Sequence, residues 1–212
     1  MNTIPNRKII NNRERIIAHG QQFMARKGFC NVSLNEVLIS AKLSKGTFYH
    51  YFDSKDAFGV AVLDNYFEWY FTELDSIFSG EDATVMQNLL KFWTFWQEDQ
   101  CLSGNTGSCL AVRLSLEVAD ISESMRFALV RGISTIIERL ANAIQTGIED
   151  GSLFINDKPN IIAQSLFEIW MGASVLAKIL RNPQPFEDAM GITSEILRGP
   201  TTHLNGSTFN IE

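Results

Sequence analysis

Apolar residues recur with helical spacing along almost the whole chain. The first such stretch runs from about Arg7 to Lys27, and Gly28 follows as a typical helix stop signal. Capping residues, glycines, prolines and polar loops separate the later stretches, which predict helices at about 34–40, 45–51, 54–78, 84–99, 109–119, 122–149, 159–181 and 186–198. We therefore expect an all-α protein.

Two short helices near the N-terminus carry explicit start signals. The segment from Ser33 to Glu36 is a capping box, and Ser44 is a second N-cap. Only residues 41–43 separate the two helices, so together with the first helix they predict a helix-turn-helix. We expect a three-helix DNA-binding domain over 1–55, a larger helical domain over 56–200, and a loose tail over 201–212. No flexible linker is evident, so the N-terminal domain should pack directly on the rest.

The third helix has the chemistry of a recognition helix. Such a helix presents small and polar residues to DNA and is braced by apolar side chains behind it, here Phe48 and Phe52 at i and i+4. Helix N-termini and lysines nearby would attract phosphate. The candidate DNA contacts are Ser33, Ser44, Lys45, Gly46, Thr47, Tyr49, His50, Tyr51 and Lys55.

The charge distribution supports nucleic acid as the partner of this region. The chain has a formal net charge of −6, but residues 1–55 hold nine basic and three acidic residues, a local charge of +6. Residues 56–212 hold nine basic and 21 acidic residues, a charge of −12. Phosphate attraction depends on the local field, so the basic quarter can bind DNA despite the acidic whole. Arg7, Lys8 and Arg13 could add phosphate or minor-groove contacts, or form a solvated face.

These residues resemble the signature of the TetR family of repressors. The resemblance covers Gly28–Phe29, the segment 33–37 and the segment 44–55, about fifty residues in span. It implies a homodimer that binds a pseudo-palindromic operator and is released by an inducer. One departure is Lys42, where the family's turn usually has glycine. A lysine at positive φ costs on the order of 1 kcal/mol, so the turn could differ locally.

The second domain resembles the NemR-like branch of this family, whose members respond to electrophiles or oxidants. The matching segments are 58–61, 108–115, 117–118 and 170–173. The resemblance implies that Cys109 is the sensing residue, and that Lys178 occupies the position of a lysine associated with that cysteine. It also implies that 56–200 is an effector-binding and dimerisation domain that pairs through the helices at 159–181 and 186–198. The candidate interface residues are Trp170, Gly172, Ala173 and Ser174, of which the last three are small and would let the backbones approach closely.

Two interpretations of Cys109 follow from its position. It opens a predicted helix, where free N–H groups and the dipole lower a thiol pKa and raise its reactivity, with Arg113 one turn later. Alternatively, it is a small buried hydrophobic residue, as most free cysteines are. Cys101 lies near the same loop and is either a resolving thiol or a bystander. Cys30 is expected in the core between the first two helices.

Aromatic residues dominate the second domain and suit either a core or a ligand pocket. The effector candidates among them are Trp93, Trp96 and Trp170. Burial of Arg113, Glu117 and Lys178 together with aromatics would indicate a cavity. Induction could therefore be covalent at Cys109 or reversible among these aromatics.

Other classes of protein find little support. Three scattered histidines and three cysteines offer no metal-ligand spacing, and phosphate-binding glycine loops and catalytic triads are not evident, so neither an enzyme nor a metal or organic cofactor is predicted. The N-terminus lacks the apolar stretch of a signal peptide, and no run reaches the roughly 18 apolar residues of a membrane span. We expect a cytoplasmic protein. The alternatives are a helical protein-interaction module that binds no DNA or, less well supported, an α-helical enzyme.

Overall fold

The computed structural model describes residues 11–80, 83–101 and 109–199. Within these ranges the chain forms nine helices and no strand, which confirms the all-α prediction. The helices are α1 Asn12–Lys27, α2 Leu34–Ala41, α3 Lys45–Tyr51, α4 Lys55–Phe78, α5 Val85–Cys101, α6 Leu110–Val118, α7 Glu123–Glu149, α8 Pro159–Leu180 and α9 Gln184–Arg198.

Helix starts follow the local capping chemistry. Ser33 and Ser44 each accept a hydrogen bond from a backbone N–H of the first turn, as predicted, and Ser54 does the same at the start of α4. The prediction was wrong about α1, which begins at Asn12 rather than Arg7. Asn11 and Glu14 form a capping box there, a signal that the sequence contains and the periodicity obscured.

The ends of α1 and α2 require unusual backbone angles. Gly28 ends α1 with φ 80° and ψ 171°, so its φ is positive as expected although the residue is not left-handed helical. Lys42 ends α2 in the left-handed conformation with φ 55° and ψ 45°. The predicted positive-φ turn therefore forms with lysine in place of glycine, and the Lys42 N–H donates to the carbonyls of Leu38 and Ile39.

The described chain divides into two compact units. The first comprises residues up to 79 together with 94–136, and the second comprises 80–93 together with 137 onwards. In the first unit α1 packs against α2, α3, α4 and α6, so the N-terminal helices rest directly on α4 and α6, as the lack of a linker predicted. Phe48, Phe52 and Phe58 form an aromatic cluster beneath α3 with ring centroids 5.2–5.5 Å apart.

The second unit contains α8 and α9 packed together. Trp93 and Trp170 stack at 4.9 Å with an interplanar angle of 11°, and the Trp170 indole donates to the hydroxyl of Thr193 on α9 at 2.9 Å. Helix α8 is long and apolar enough to cross a membrane by length and composition alone, a test that helices of soluble proteins also pass. Much of its apolar surface is outward-facing.

Candidate functional site

The surface of α3 separates cleanly into a buried and an exposed side. Phe48 and Phe52 point inward and are 0% and 4% exposed, as predicted. The opposite side presents polar and aromatic groups, with Tyr49 59% exposed beside exposed Lys45 and His50. An exposed polar face on a rigid, aromatically braced helix is what major-groove recognition requires.

The candidate DNA-contact residues differ in the exposure and the hydrogen bonding of their side chains. Ser44, Lys45, Gly46, Tyr49, His50 and Tyr51 are exposed, as is Ser33 at the start of α2. Thr47 is half-buried, and its hydroxyl lies 3.0 Å from that of Ser44, which also caps α3. Thr47 is therefore held in a defined orientation, which suits a side chain that reads a base edge.

An open groove of about 330 Å³ runs between the start of α2 and α3. Its lining includes Ser33 and Asn35 from α2, Lys45 and Tyr49 from α3, and Lys55 from α4. It combines two ammonium groups with the N-terminal, positive end of the dipole of an eight-residue helix. Positive charge of this kind favours an anion such as the phosphate of a nucleic-acid strand.

Lys55 also holds the loop between α1 and α2. Its ammonium group lies 4.6 Å from the centroid of the Phe29 ring and 3.5 Å from the carbonyl oxygen of Cys30. Arg13 lies over the ring of Phe52, with 5.6 Å from Cζ to the centroid. Arg7 and Lys8 lie outside the described residues.

Cys109 occupies the N-cap position of α6, so the prediction that it opens a helix is confirmed. Its sulfur lies 2.8 Å from the hydroxyl of Tyr66 on α4, and its N–H donates to the side-chain oxygen of Gln100 at 3.2 Å. The residue is only 3% exposed. The thiol is therefore at a helix start and, at the same time, inside the core.

Of the two interpretations of Cys109, burial in the core is confirmed and a lowered thiol pKa is wrong. Burial and the carboxylate of Asp99 raise the pKa of this thiol to about 11, although the Tyr66 hydroxyl and the backbone N–H groups of Ala111 and Val112 act in the opposite direction. Burial also raises the pKa of Asp99 to about 6. The helix N-terminus acts as the sequence predicted, but desolvation is the larger effect.

Several other predictions about the effector region need correction. Arg113 and Glu117 are half-buried and Lys178 is exposed in the last turn of α8, so these three do not form a buried polar group. Trp93, Trp96 and Trp170 are at most 1% exposed, and each lies against another aromatic ring. Cys30 is exposed rather than in the core. The side chain of Cys101 and residues 102–108 lie outside the described residues.

The predicted dimer residues are also corrected. Trp170, Ala173 and Ser174 are buried within their own chain, and the Ser174 hydroxyl donates to the Trp170 carbonyl at 2.8 Å. Gly172 is exposed, and a Cβ added there would meet no atom within 4 Å. The outward apolar side chains of α8 and α9 are instead Ile161, Leu176, Ile179, Leu180 and Ile192.

Sequence reasoning missed two polar side chains of the first unit, Tyr66 and Asp99, which shape the environment of Cys109. It named Glu117 as a candidate cavity residue but did not predict that its carboxylate binds the loop at the end of α1. Their positions on apolar helix stripes made Tyr66 and Asp99 indistinguishable from ordinary core and surface residues. Among the described residues, no group of three His, Cys, Asp or Glu side chains could hold a metal ion.

Comparison with known proteins gives two consistent family matches. Residues 16–62 match the family described as bacterial regulatory proteins, tetR family, and residues 85–192 match the tetracyclin repressor-like C-terminal domain. The first match covers the helix-turn-helix and the second covers half of the chain.

Relatives at the level of whole chains agree with this. HTH-type transcriptional repressor NemR of Escherichia coli strain K12 is 36% identical over 188 residues, 89% of this chain and 94% of the relative. Transcriptional regulator AcuR of Cereibacter sphaeroides is 28% identical over 172 residues, 81% of this chain and 78% of the relative. The crystal structure of reduced E. coli NemR superposes with a TM-score of 0.85 at 35% identity, covering 90% of this chain and 98% of the other. These relatives are transcriptional regulators and not enzymes.

Proposed function

Because this chain belongs to the TetR family and is a DNA-binding transcriptional repressor of the NemR-like branch, we propose that it binds a pseudo-palindromic operator as a cytoplasmic homodimer. We further propose that an electrophile or oxidant releases it through reaction at Cys109. The observation that best supports operator binding is the division of α3 into a buried and an exposed side. Phe48 is buried, and Tyr49 and His50 are exposed beside Lys45.

The operator proposal follows from the symmetry of a dimer. One short recognition helix reads too few base pairs, and two related by a twofold axis fit half-sites about 34–36 Å apart, one helical turn. A gel-shift panel at physiological salt should show preference for a pseudo-palindrome upstream of the repressor's own gene. Inserting about half a helical turn, roughly five base pairs, between the half-sites should abolish that preference. Equal affinity for all duplexes would contradict the proposal.

We propose that the outward apolar side chains of α8 and α9 form the dimer interface. These two helices would meet their symmetry mates in a four-helix bundle, with exposed Gly172 allowing close backbone approach. Exposed apolar surface of this kind on a helical face is typical of a subunit interface. Lys178 lies in the same outward region at the end of α8.

Cys109 packs between α4 and α6, so an adduct at its sulfur would disturb the contact between these helices. In the reaction with a maleimide, the thiolate sulfur forms a bond to one alkene carbon and the other alkene carbon takes a proton from water. The adduct has no room beside Tyr66, because the cysteine is 3% exposed and its sulfur already lies 2.8 Å from the tyrosine oxygen. Displacement of α6 would follow. A tenfold loss of operator affinity needs only about 1.4 kcal/mol of preference for the displaced state.

The test compares Cys109→Ser with Cys30→Ser, because Cys30 is an exposed thiol in the same unit. N-ethylmaleimide should release the wild type and the Cys30 variant from the operator and leave the Cys109 variant bound. Release of the Cys109 variant would overturn the assignment. The thiol responsible would then be Cys30 or Cys101, and loss of the response in the Cys30 variant would identify Cys30.

A further inference from the structure

Glu117 on α6 binds the backbone of the loop that ends α1. One carboxylate oxygen accepts from the Phe29 N–H at 2.9 Å and the other accepts from the Cys30 N–H at 2.6 Å, across a sequence separation of 88 and 87 residues. Hydrogen bonds to a charged acceptor are stronger than those between neutral groups. This carboxylate is therefore a specific contact between α6 and the DNA-binding helices.

The local backbone is shaped to receive this carboxylate. Gly28 has φ 80°, and a Cβ added at this position would overlap the carboxylate oxygens of Glu117. Two consecutive N–H groups can point at one carboxylate because α1 has ended and they have no helical acceptor. Glycine at position 28 thus permits both the turn and the close approach.

The same loop contacts the DNA-facing side of the unit. Lys55, which lines the groove at the start of α2, lies against the Phe29 ring and the Cys30 carbonyl. The loop is therefore held by an acid of α6 from one side and by a phosphate-binding lysine from the other. Lys27, the last residue of α1, pairs with Glu36 in the first turn of α2 at 2.7 Å, so the end of α1 is also joined directly to the start of α2.

We propose that Glu117 is a positioning residue that couples α6 to the DNA-binding helices, so that a displacement of α6 moves the start of α2 and Lys55 through the Phe29–Cys30 backbone. This proposal deepens the proposed function, on which it rests, because Cys109 and Glu117 lie at opposite ends of the same short helix. Helix α6 also packs directly on α1 and α4, and the Glu117 carboxylate adds a directional polar contact to that packing.

The test uses Glu117→Gln, which keeps size and shape but leaves one oxygen for two N–H groups. Glu68→Gln is the matched control, since Glu68 is an exposed glutamate of α4 and its loss changes the net charge equally. Hydrogen exchange of the full-length proteins is measured with and without an operator duplex. Coupling is reciprocal, so operator binding should slow exchange in α6 of the wild type and the control.

In Glu117→Gln, operator binding should still protect α3 but no longer α6, and the Phe29 and Cys30 amides should exchange at least about tenfold faster. Equal operator-induced protection of α6 in Glu117→Gln and wild type would overturn the proposal. If Glu117→Gln does not bind the operator, Glu117→Asp replaces it. The shorter aspartate keeps the charge but cannot reach both amides, so it should show the same loss of α6 protection, and normal protection would again overturn the proposal.

A second measurement links the residue to induction. The ratio of operator Kd after and before N-ethylmaleimide treatment should fall toward one in Glu117→Gln and stay at the wild-type value in Glu68→Gln. A purely structural role would weaken both Kd values together and leave the ratio unchanged. A wild type that is not released by N-ethylmaleimide contradicts sensing at Cys109 but leaves the hydrogen-exchange test of Glu117 intact.

Discussion

Opposing influences on a single thiol decide the chemistry of Cys109. The α6 amides and the Tyr66 hydroxyl stabilise the thiolate, whereas burial and Asp99 destabilise it more, so the pKa is about 11. At pH 7.5 fewer than about one thiol in a thousand is then ionised. A thiol of this kind reacts slowly with electrophiles at neutral pH.

The pH dependence of Cys109 alkylation follows from its raised pKa. Only the thiolate reacts, so below pH 11 the rate should rise about tenfold per pH unit without a plateau near neutral pH. Mass spectrometry of the peptide that contains Cys109, with maleimide as reagent, measures this rate. A plateau below pH 9 would show that the thiol is ionised in spite of its burial.

Two substitutions beside Cys109 should change this rate in opposite directions. Asp99→Asn removes a charge that raises the thiol pKa, so alkylation should speed up severalfold. Tyr66→Phe removes a hydrogen bond that lowers the thiol pKa, so alkylation should slow down. Both rates are compared with wild type at pH 8. Equal changes in the same direction would indicate altered access to the thiol rather than altered ionisation.

The left-handed backbone conformation of Lys42 is unfavourable for a residue with a side chain, and a glycine at this position would adopt it more easily. Its φ of 55° lies in the left-handed region, and its side chain is exposed. Lys42→Gly should therefore raise the free energy of unfolding by up to about 1 kcal/mol, a Tm increase of about 2–4 °C for a domain of this size. Thermal unfolding measures it, with Lys45→Gly as a control that should lower the Tm, since Lys45 lies in the first turn of α3.

At the scale of the element, α3 and the start of α4 should contribute different kinds of DNA contact. Ser44 holds the hydroxyl of Thr47, the proposed base contact, whereas Lys55, the proposed phosphate contact, lines the groove between the start of α2 and α3. Thr47→Ala should reduce the discrimination between bases at one base pair by about 1–3 kcal/mol. Lys55→Ala should weaken binding to all sequences alike and reduce the slope of log K against log salt concentration by about one.

A panel of operator variants titrated at several salt concentrations separates these two effects. Lys55→Arg should restore most of the affinity, because it keeps the charge in the groove. Altered sequence preference in Lys55→Ala would place that residue on a base rather than on phosphate.

At the scale of the whole molecule, the outward face of α8 and α9 should decide the oligomeric state. Ile179 is 69% exposed in one chain, and a charge there would be buried without a partner in the four-helix bundle. Ile179→Glu should therefore sediment as a monomer at micromolar concentration and lose the preference for full palindromes. Phe154→Glu is the control, because Phe154 is equally exposed but lies outside α8 and α9. A dimeric Ile179 variant would place the interface elsewhere.

Local chemistry along the sequence determined the elements and the DNA-binding motif. The Ser33, Ser44 and Ser54 caps, the helical period and the aromatic pair Phe48–Phe52 act within a few residues of one another, so they can be recognised without knowing the fold. The start of α1 was misplaced because the capping box at Asn11 and Glu14 lies inside a continuing apolar period.

Tertiary packing decided everything that depends on desolvation or on distant partners. The sequence places Cys109 at a helix start, but only the fold surrounds it with Tyr66 and Asp99 and reverses the direction of its pKa. The sequence shows Glu117 as one acid on a helix, and only the fold brings it to the amides of Phe29 and Cys30. Burial is a property of the assembled core, so the period of a helix reveals that it has an apolar face but not which residues remain outside, as Ala173 and Ile179 on α8 illustrate.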